Sequence, residues 1–188
     1  MPIQHPTLLV VTGHPGTGKT TLARRLAKDL RLPLFEKDAI KELLYEELGW
    51  SDRAWSQRLG RAAIALLYQC AEQTLAAGVS ILMEGNLDPA LAAPSLLNLR
   101  ASTGCRFAQI VCRAEQETLL ARYHQRWTAG SRHPGHADGV ALDELRARLE
   151  AGRDMAIPIE GTRFELDTTD FAAMDYAALL AAVRAATE

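Results

Sequence analysis

An α/β fold, a parallel sheet with helices on both faces, is what this sequence predicts, and three observations predict it. Short apolar runs alternate with longer segments of helical period along the chain, the pattern of strand–helix–strand units. The first run, residues 7–12, is apolar without alternation, as in a strand buried on both faces. It stops at a glycine-rich turn, residues 13–18, from which a helix opens. With 188 residues and about 150 residues per domain, one domain is expected.

Each element follows from its own residues. Residues 18–31 carry Leu22, Ala23, Leu26, Ala27 and Leu30 at helical spacing. Residues 33–36 read as a second strand. Residues 38–48 read as a helix with Ile40, Leu43, Leu44 and Leu48 on its apolar side and Gly49 as its stop. Ser51 is the expected N-cap of a long helix that runs to about residue 77 and ends at Gly78. Along it Trp55, Leu59, Ala62, Ala63 and Leu66 read as core. Residues 79–84 are a third strand. Residues 88–102 look helical, with Pro94 as a break or restart. Residues 106–112 are a fourth strand and 114–128 a helix. Residues 129–139 hold three glycines and a proline and read as a loop, the mobile lid spanning about 128–140. A helix at 141–151, a strand at 162–167 and an alanine-rich helix at 173–186 close the chain. No internal repeat or linker interrupts this order.

Composition removes several classes. Hydrophobic residues are 48% and charged residues 23%, which excludes a disordered chain. The net charge of -2 argues against a strongly basic nucleic-acid binder. No apolar run approaches 18 residues, and the first twelve residues lack a cationic segment and a long enough apolar stretch for a signal peptide. A cytoplasmic protein without a membrane partner is expected. Cys70, Cys105 and Cys112 are odd in number and widely spaced, so they form neither a disulfide framework nor a metal pair.

The sharpest local signal is Gly13-His-Pro-Gly-Thr-Gly-Lys-Thr20, a match to G-x-x-x-x-G-K-[ST] between a strand and a helix. Gly13, Gly16 and Gly18 let the backbone curl so that successive N–H groups face one phosphate. The helix N-terminus adds its partial positive charge. Lys19 would reach the β- and γ-phosphates and the Thr20 hydroxyl would ligate Mg²⁺. Thr17 and Thr21 complete the expected phosphate-binding set. No Asn-Lys-x-Asp segment reads guanine, no Leu-Ser-Gly-Gly-Gln segment marks a transporter, and there is no room for the helical lid domain of a ring ATPase.

Ligands of open α/β sheets sit at the carboxyl ends of the strands. Asp38, Glu84 and Asp167 fall there. Asp38 suits a general base facing the cradle, or else a helix-start acid. Glu84, after Ile81-Leu-Met, suits a Walker B acid near Mg²⁺, or else a polar strand end. Asp167 is a candidate nucleotide contact. Arg122 and Arg126 share one helix face and Arg132 follows in the loop; they read as closing cations or as a solvated face. Arg58 and Arg61 on the long helix are candidate acceptor contacts. His133 and His136, separated by Pro-Gly, suit loop structure better than zinc.

In order along the chain stand Gly13–Thr20, Phe35-Glu-Lys-Asp38-Ala-Ile-Lys41, Glu84-Gly-Asn-Leu-Asp-Pro89, Arg122-x-x-x-Arg126 and Arg132-His-Pro-Gly-His136. Together they resemble the large family of small P-loop kinases and AAA-type ATP-binding proteins. The chloramphenicol phosphotransferase, zeta-toxin and polynucleotide 5′-kinase groups are similar. The resemblance implies a P-loop NTPase α/β/α sandwich with five parallel strands in the order 2-3-1-4-5. It implies ATP and Mg²⁺, Asp38 as general base, and catalytic lid arginines at Arg122 or Arg126. Glu84 and Asn86 match its acid-x-Asn-Leu segment. In polynucleotide kinases an arginine three residues after the base contacts substrate phosphate; this chain has Lys41 there, a candidate substrate contact but a point charge without the bidentate fork. The implied reaction is transfer of the γ-phosphoryl group to a hydroxyl of a small molecule, with nucleic acid the less favoured acceptor. The alternatives are a polynucleotide 5′-hydroxyl kinase and a slow regulatory or toxin-like ATPase. Neither the acceptor nor the oligomeric state is legible.

Overall fold

The computed structural model describes residues 5–130, 132–136 and 138–187. Its strands are β1 (Thr7–Gly13), β2 (Leu34–Glu36), β3 (Ile81–Glu84), β4 (Arg106–Arg113) and β5 (Thr162–Asp167). Its helices are α1 (Lys19–Leu30), α2 (Lys37–Leu48), α3 (Arg53–Ala76), α4 (Pro89–Thr103), α5 (Gln116–Thr128), α6 (Asp138–Glu150) and α7 (Tyr176–Thr187), with a 3₁₀ turn at Pro134–His136. All strand pairs are parallel, in the order β2-β3-β1-β4-β5. This is the P-loop NTPase sandwich that the sequence predicts.

β1 is buried at every position. Leu8 and Val10 enter one core with Leu67, Leu75, Leu96 and Leu99 from α3 and α4. Leu9 and Val11 enter the other with Leu22, Leu26, Leu179 and Val183 from α1 and α7. A strand with apolar side chains on both faces can pack only in the middle of such a sandwich. Its carboxyl end, beside Glu84 of β3 in register with Val11, therefore lies where the loops converge.

Several local expectations are corrected. The α3 N-cap is Asp52 rather than Ser51, its carboxylate accepting from the Trp55 amide at 2.8 Å. Pro94 lies inside a continuous α4, where Ala92, Ala93, Leu96 and Leu99 bury a face that outweighs one lost backbone bond. On α2, Leu43 and Leu48 are 61% and 59% exposed, and the buried residues are Lys41 and Tyr45. That helix packs on α3 rather than on the sheet, so its inward face is polar-tipped. On α3, Leu59 and Ala63 are core, whereas Leu66 is exposed. Trp55 is only half-buried and covers the α2–α3 turn, its indole N–H donating to the Gly49 carbonyl at 2.9 Å. The expected loop at 129–139 contains the 3₁₀ turn and the start of α6. Cys105 and Cys112 are buried and free; Cys70 is half-buried and free.

Candidate active site

The loop between β1 and α1 holds its shape through glycines. Gly13 has φ +148°, and a Cβ there would come within 2.4 Å of the Cys112 carbonyl oxygen. Gly16 has φ +95°, and a Cβ would lie 2.9 Å from the Leu119 carbonyl oxygen. No side chain fits at either position, so β4 and α5 brace the loop directly. The Thr17 hydroxyl donates to the His14 carbonyl at 2.9 Å. The Arg122 guanidinium donates to the carbonyls of Gly16, Thr168 and Thr169, at 3.3, 2.9 and 2.9 Å. Arg122 is thus a tie that fixes the loop to the β5–α7 connection.

Lys19 leaves this loop buried, its ammonium 3.9 Å from the Glu84 carboxylate. The Thr20 side chain stands beside the Glu84 carboxylate and helps keep its proton affinity down. Burial lowers the lysine's proton affinity, and the Glu84 and Asp38 carboxylates only partly restore it. Burial likewise raises that of Glu84 against the pull of Lys19. Both shifts run toward the neutral forms, so mutual attraction at this distance falls short of the cost of burying the two charges. A hydroxyl and a carboxylate side by side are hard oxygen donors. Among the described residues no group of three or more metal-ligating side chains converges. The pair suits a cation that takes its remaining ligands from phosphate and water, as Mg²⁺ does.

Asp38 opens α2 in the same cavity, of about 390 Å³. Lys37 donates to one carboxylate oxygen at 3.0 Å and Arg132 to the other at 2.9 Å. Burial disfavours the charge, yet Lys37 and Arg132, aided by Lys19, outweigh it and hold the carboxyl well below its ordinary value. Asp38 is therefore ionised and able to accept a hydroxyl hydrogen. Lys37 also donates to the Asn86 side-chain oxygen at 2.9 Å, so the segment after β3 fixes the same carboxylate.

The segment after α5 is docked onto α2. His133 stacks on Tyr45 with ring centres 4.9 Å apart, and its Nε2 lies 3.2 Å from Glu46. His136 accepts from Arg132 at Nδ1 and donates from Nε2 to Glu42 at 2.9 Å. Burial, and then Arg132, lower its proton affinity to about 3, so His136 is neutral. The two histidines seat the loop that delivers Arg132.

The cavity gathers Lys19, Thr20, Asp38, Asn86, Arg126 and Arg132, with Lys41 and Arg61 on the α2–α3 wall. Other expected site residues lie elsewhere. Thr21 is exposed on α1 and does not line the cavity. Arg58 is exposed and stands over the Trp55 ring, 5.5 Å from its centre. Asp167 sits at the exposed end of β5, accepting from the Thr169 amide at 2.8 Å. Sequence reasoning passed over Lys37, Arg53 and Arg148. Lys37 had a signal, adjacency to Asp38; Arg53 and Arg148 had none.

A family model described as an AAA domain matches residues 8–152. The chain belongs to the AAA-domain family. In this AAA-domain protein the matched segment carries the whole loop, Asp38, Glu84, Arg126 and Arg132; β5 and α7 lie beyond it. A putative kinase from Chloroflexus aurantiacus j-10-fl is 41% identical, covers 98% of this chain and 100% of its own, and superposes with a TM-score of 0.89. A sugar kinase from Janibacter sp. HTCC2649 is 18% identical over 96% of this chain and 94% of its own, with a TM-score of 0.60. A gluconokinase from Sinorhizobium meliloti 1021 is 20% identical over 97% and 95%, with a TM-score of 0.55. At those two identities the likeness is one of fold. No curated protein matches the sequence. Among the described residues no helix is long and apolar enough to cross a membrane.

Proposed function

We propose that this protein is an ATP-dependent phosphotransferase that moves the γ-phosphoryl group to a hydroxyl of a small molecule. The observation that carries the reading is one cavity holding both Lys19 and Thr20 of the glycine loop and an ionised Asp38. The first serves any nucleotide-binding loop of this kind; the second is a carboxylate of the sort that takes the acceptor's proton in kinases. The 41% identical relative described as a putative kinase supports it.

The loop amides and Lys19 would hold the phosphates, and Thr20 with Glu84 would hold Mg²⁺. When bound there, Mg²⁺ neutralises phosphate charge. Asp38 takes the hydroxyl proton as the acceptor oxygen bonds to the γ-phosphorus and the bond to the β–γ bridging oxygen breaks, releasing ADP. Lys37 and Asn86 keep the carboxylate aimed. Arg126 and Arg132 offer positive charge to the migrating group, and Arg132 moves from Asp38 toward it as the acceptor enters. The test is transfer of label from γ-labelled ATP across sugars, antibiotics, nucleosides and 5′-hydroxyl oligonucleotides. A labelled small alcohol is expected. ATP hydrolysis with no labelled acceptor in any class would contradict the reading.

A further inference from the structure

The two histidines that seat the loop after α5 are bonded in one pattern. His133 accepts the Gly135 amide at Nδ1, at 3.0 Å, and turns Nε2 to Glu46 at 3.2 Å. His136 accepts Arg132 at Nδ1, at 3.2 Å, and turns Nε2 to Glu42 at 2.9 Å. A guanidinium can only donate, so Nδ1 of His136 is bare and the ring proton is on Nε2. Glu42 and Glu46 stand four residues apart on α2 and share one face of it. Between the histidines Gly135 presses on that helix: a Cβ there would lie 2.9 Å from two Tyr45 ring carbons and from Cβ of Trp50.

These bonds form a chain that ends on the proposed base. Glu42 accepts from Nε2 of His136, Nδ1 accepts from Arg132, and Arg132 donates to one Asp38 oxygen at 2.9 Å. Lys37 takes the other oxygen, so each carries a cation while the loop is seated. A proton on Nδ1 would turn that acceptor into a donor facing a guanidinium and set a second positive charge against it. The surroundings of the ring act in the same sense. Asp38, Lys37, Lys41, Glu42 and Tyr45 face His136 from α2. The turn also packs on α3, which brings Arg53 to the same cavity, bound to Glu144 of α6. Burial, then Arg132, push the proton affinity of His136 down to about 3, against the pull of Asp38. Glu42 runs the other way, since burial and then Asp38 raise its proton affinity.

Resting on the phosphotransferase reading for the role of Asp38, we infer that Glu42 and His136 are positioning residues. Glu42 fixes the His136 tautomer, and His136 holds Arg132 on Asp38. A proton on His136 lifts the loop and frees that carboxylate oxygen for an acceptor hydroxyl. The seated loop refuses a proton that the lifted loop, with a histidine at its ordinary 6.5, takes up. The contribution of His136 to seating is complete above pH 6.5 and is lost as pH falls toward 3. From pH 7.5 to pH 5.5 the ratio of lifted to seated loop therefore rises about 10-fold.

The test needs neither ATP nor an acceptor. NMR of the full chain carrying ¹⁵N-histidine reads the ring nitrogens, with the His136 signals assigned by their loss in His136→Asn. Hydrogen exchange at the amides of His133, Gly135 and His136, corrected for intrinsic rate, reads lifting, and the β1 amides control for global opening. At pH 7.5 the His136 proton should sit on Nε2. From pH 7.5 to pH 5.5 loop exchange should rise about 10-fold in wild type. It should stay flat in His136→Asn, whose side-chain oxygen accepts from Arg132 but takes no proton. Glu42→Gln still accepts from Nε2, so it should seat the loop as wild type does at pH 7.5 and keep the pH response. Glu42→Leu should raise loop exchange several-fold at pH 7.5. Gly135→Ala, which pushes the turn off Tyr45 without altering a titratable group, should do the same. A His136 proton on Nδ1, a pH response that survives in His136→Asn, or equal exchange in the two Glu42 variants would overturn the inference. A chain that behaves as expected yet labels no acceptor contradicts the phosphotransferase reading and leaves the latch on Asp38 standing. A chain that transfers label but shows no pH-dependent lifting does the reverse.

Discussion

Lys19 and Lys37 illustrate two uses of an ammonium in the cavity. Lys19 faces Glu84 at 3.9 Å, too far for a tight pair, and is placed to complete its interactions with phosphate. Lys19→Ala should lower transfer by roughly 10²-fold or more, since it removes a donor to developing phosphate charge. Folding should survive, because the Lys19 side chain faces the cavity and the loop before it is braced by β4 and α5. Circular dichroism alongside the transfer assay checks both. Lys37 instead spans Asp38 and Asn86 at 3.0 and 2.9 Å. It positions the carboxylate and does not touch the reacting atoms. Lys37→Met should cut kcat by about 10-fold through loss of aim, and Lys37→Arg should recover part of it. Affinity for ATP should stay within a few-fold in both. Equal loss of kcat in the two variants would assign Lys37 a merely structural role.

At the scale of elements, the segment after α5 acts through what it carries and how it is seated. Arg126 lines the cavity from the last turn of α5, 5.6 Å from the Tyr123 ring centre. A closing arginine acts mainly on the transition state, so Arg126→Ala should lower kcat more than it weakens ATP binding. A raised KM for ATP with kcat unchanged would make it a ground-state contact. The seat itself is sensitive to pH. His136 has its proton affinity lowered from 6.5 to about 3 by burial and Arg132. Between those values the unfolded chain binds a proton that the folded chain refuses. Stability from this residue is complete above pH 6.5 and is lost as pH falls toward 3. Melting temperature should therefore drop more between pH 7.5 and pH 5 in wild type than in His136→Gln. Parallel curves would show that His136 is not held neutral.

For the whole molecule, what was legible followed from local rules. Five strands and the glycine loop came from runs and spacings of adjacent residues; the strand order came only from the family resemblance. Lys19, Thr20 and Asp38, which line one cavity, stood out in the sequence because each has a fixed place relative to a strand end. The α2 face was misread because Leu43 and Leu48 carry the apolar periodicity while Lys41 and Tyr45 carry the burial; the contact that decides it, Lys41 to Ser56, spans 15 residues. Arg53 and Arg148 reach the cavity from α3 and α6, more than ninety residues apart, and no spacing announces that. Arg122 sat on the right helix face but spends its guanidinium on three carbonyls, a choice that only tertiary packing sets.

The central claim is that one cavity joins an ATP cradle to a separate acceptor base. Asp38→Asn tests it most directly, because it keeps the shape and removes the base. ATP affinity and acceptor-dependent transfer are measured on the same protein, with melting temperature as the control for folding. Affinity should stay within a few-fold, since Lys19, Thr20 and the loop amides hold the nucleotide. Transfer should fall by about 10²- to 10⁴-fold, the range for a general base. Near-normal transfer with a slightly lower melting temperature would make Asp38 only a helix-start acid and contradict the account.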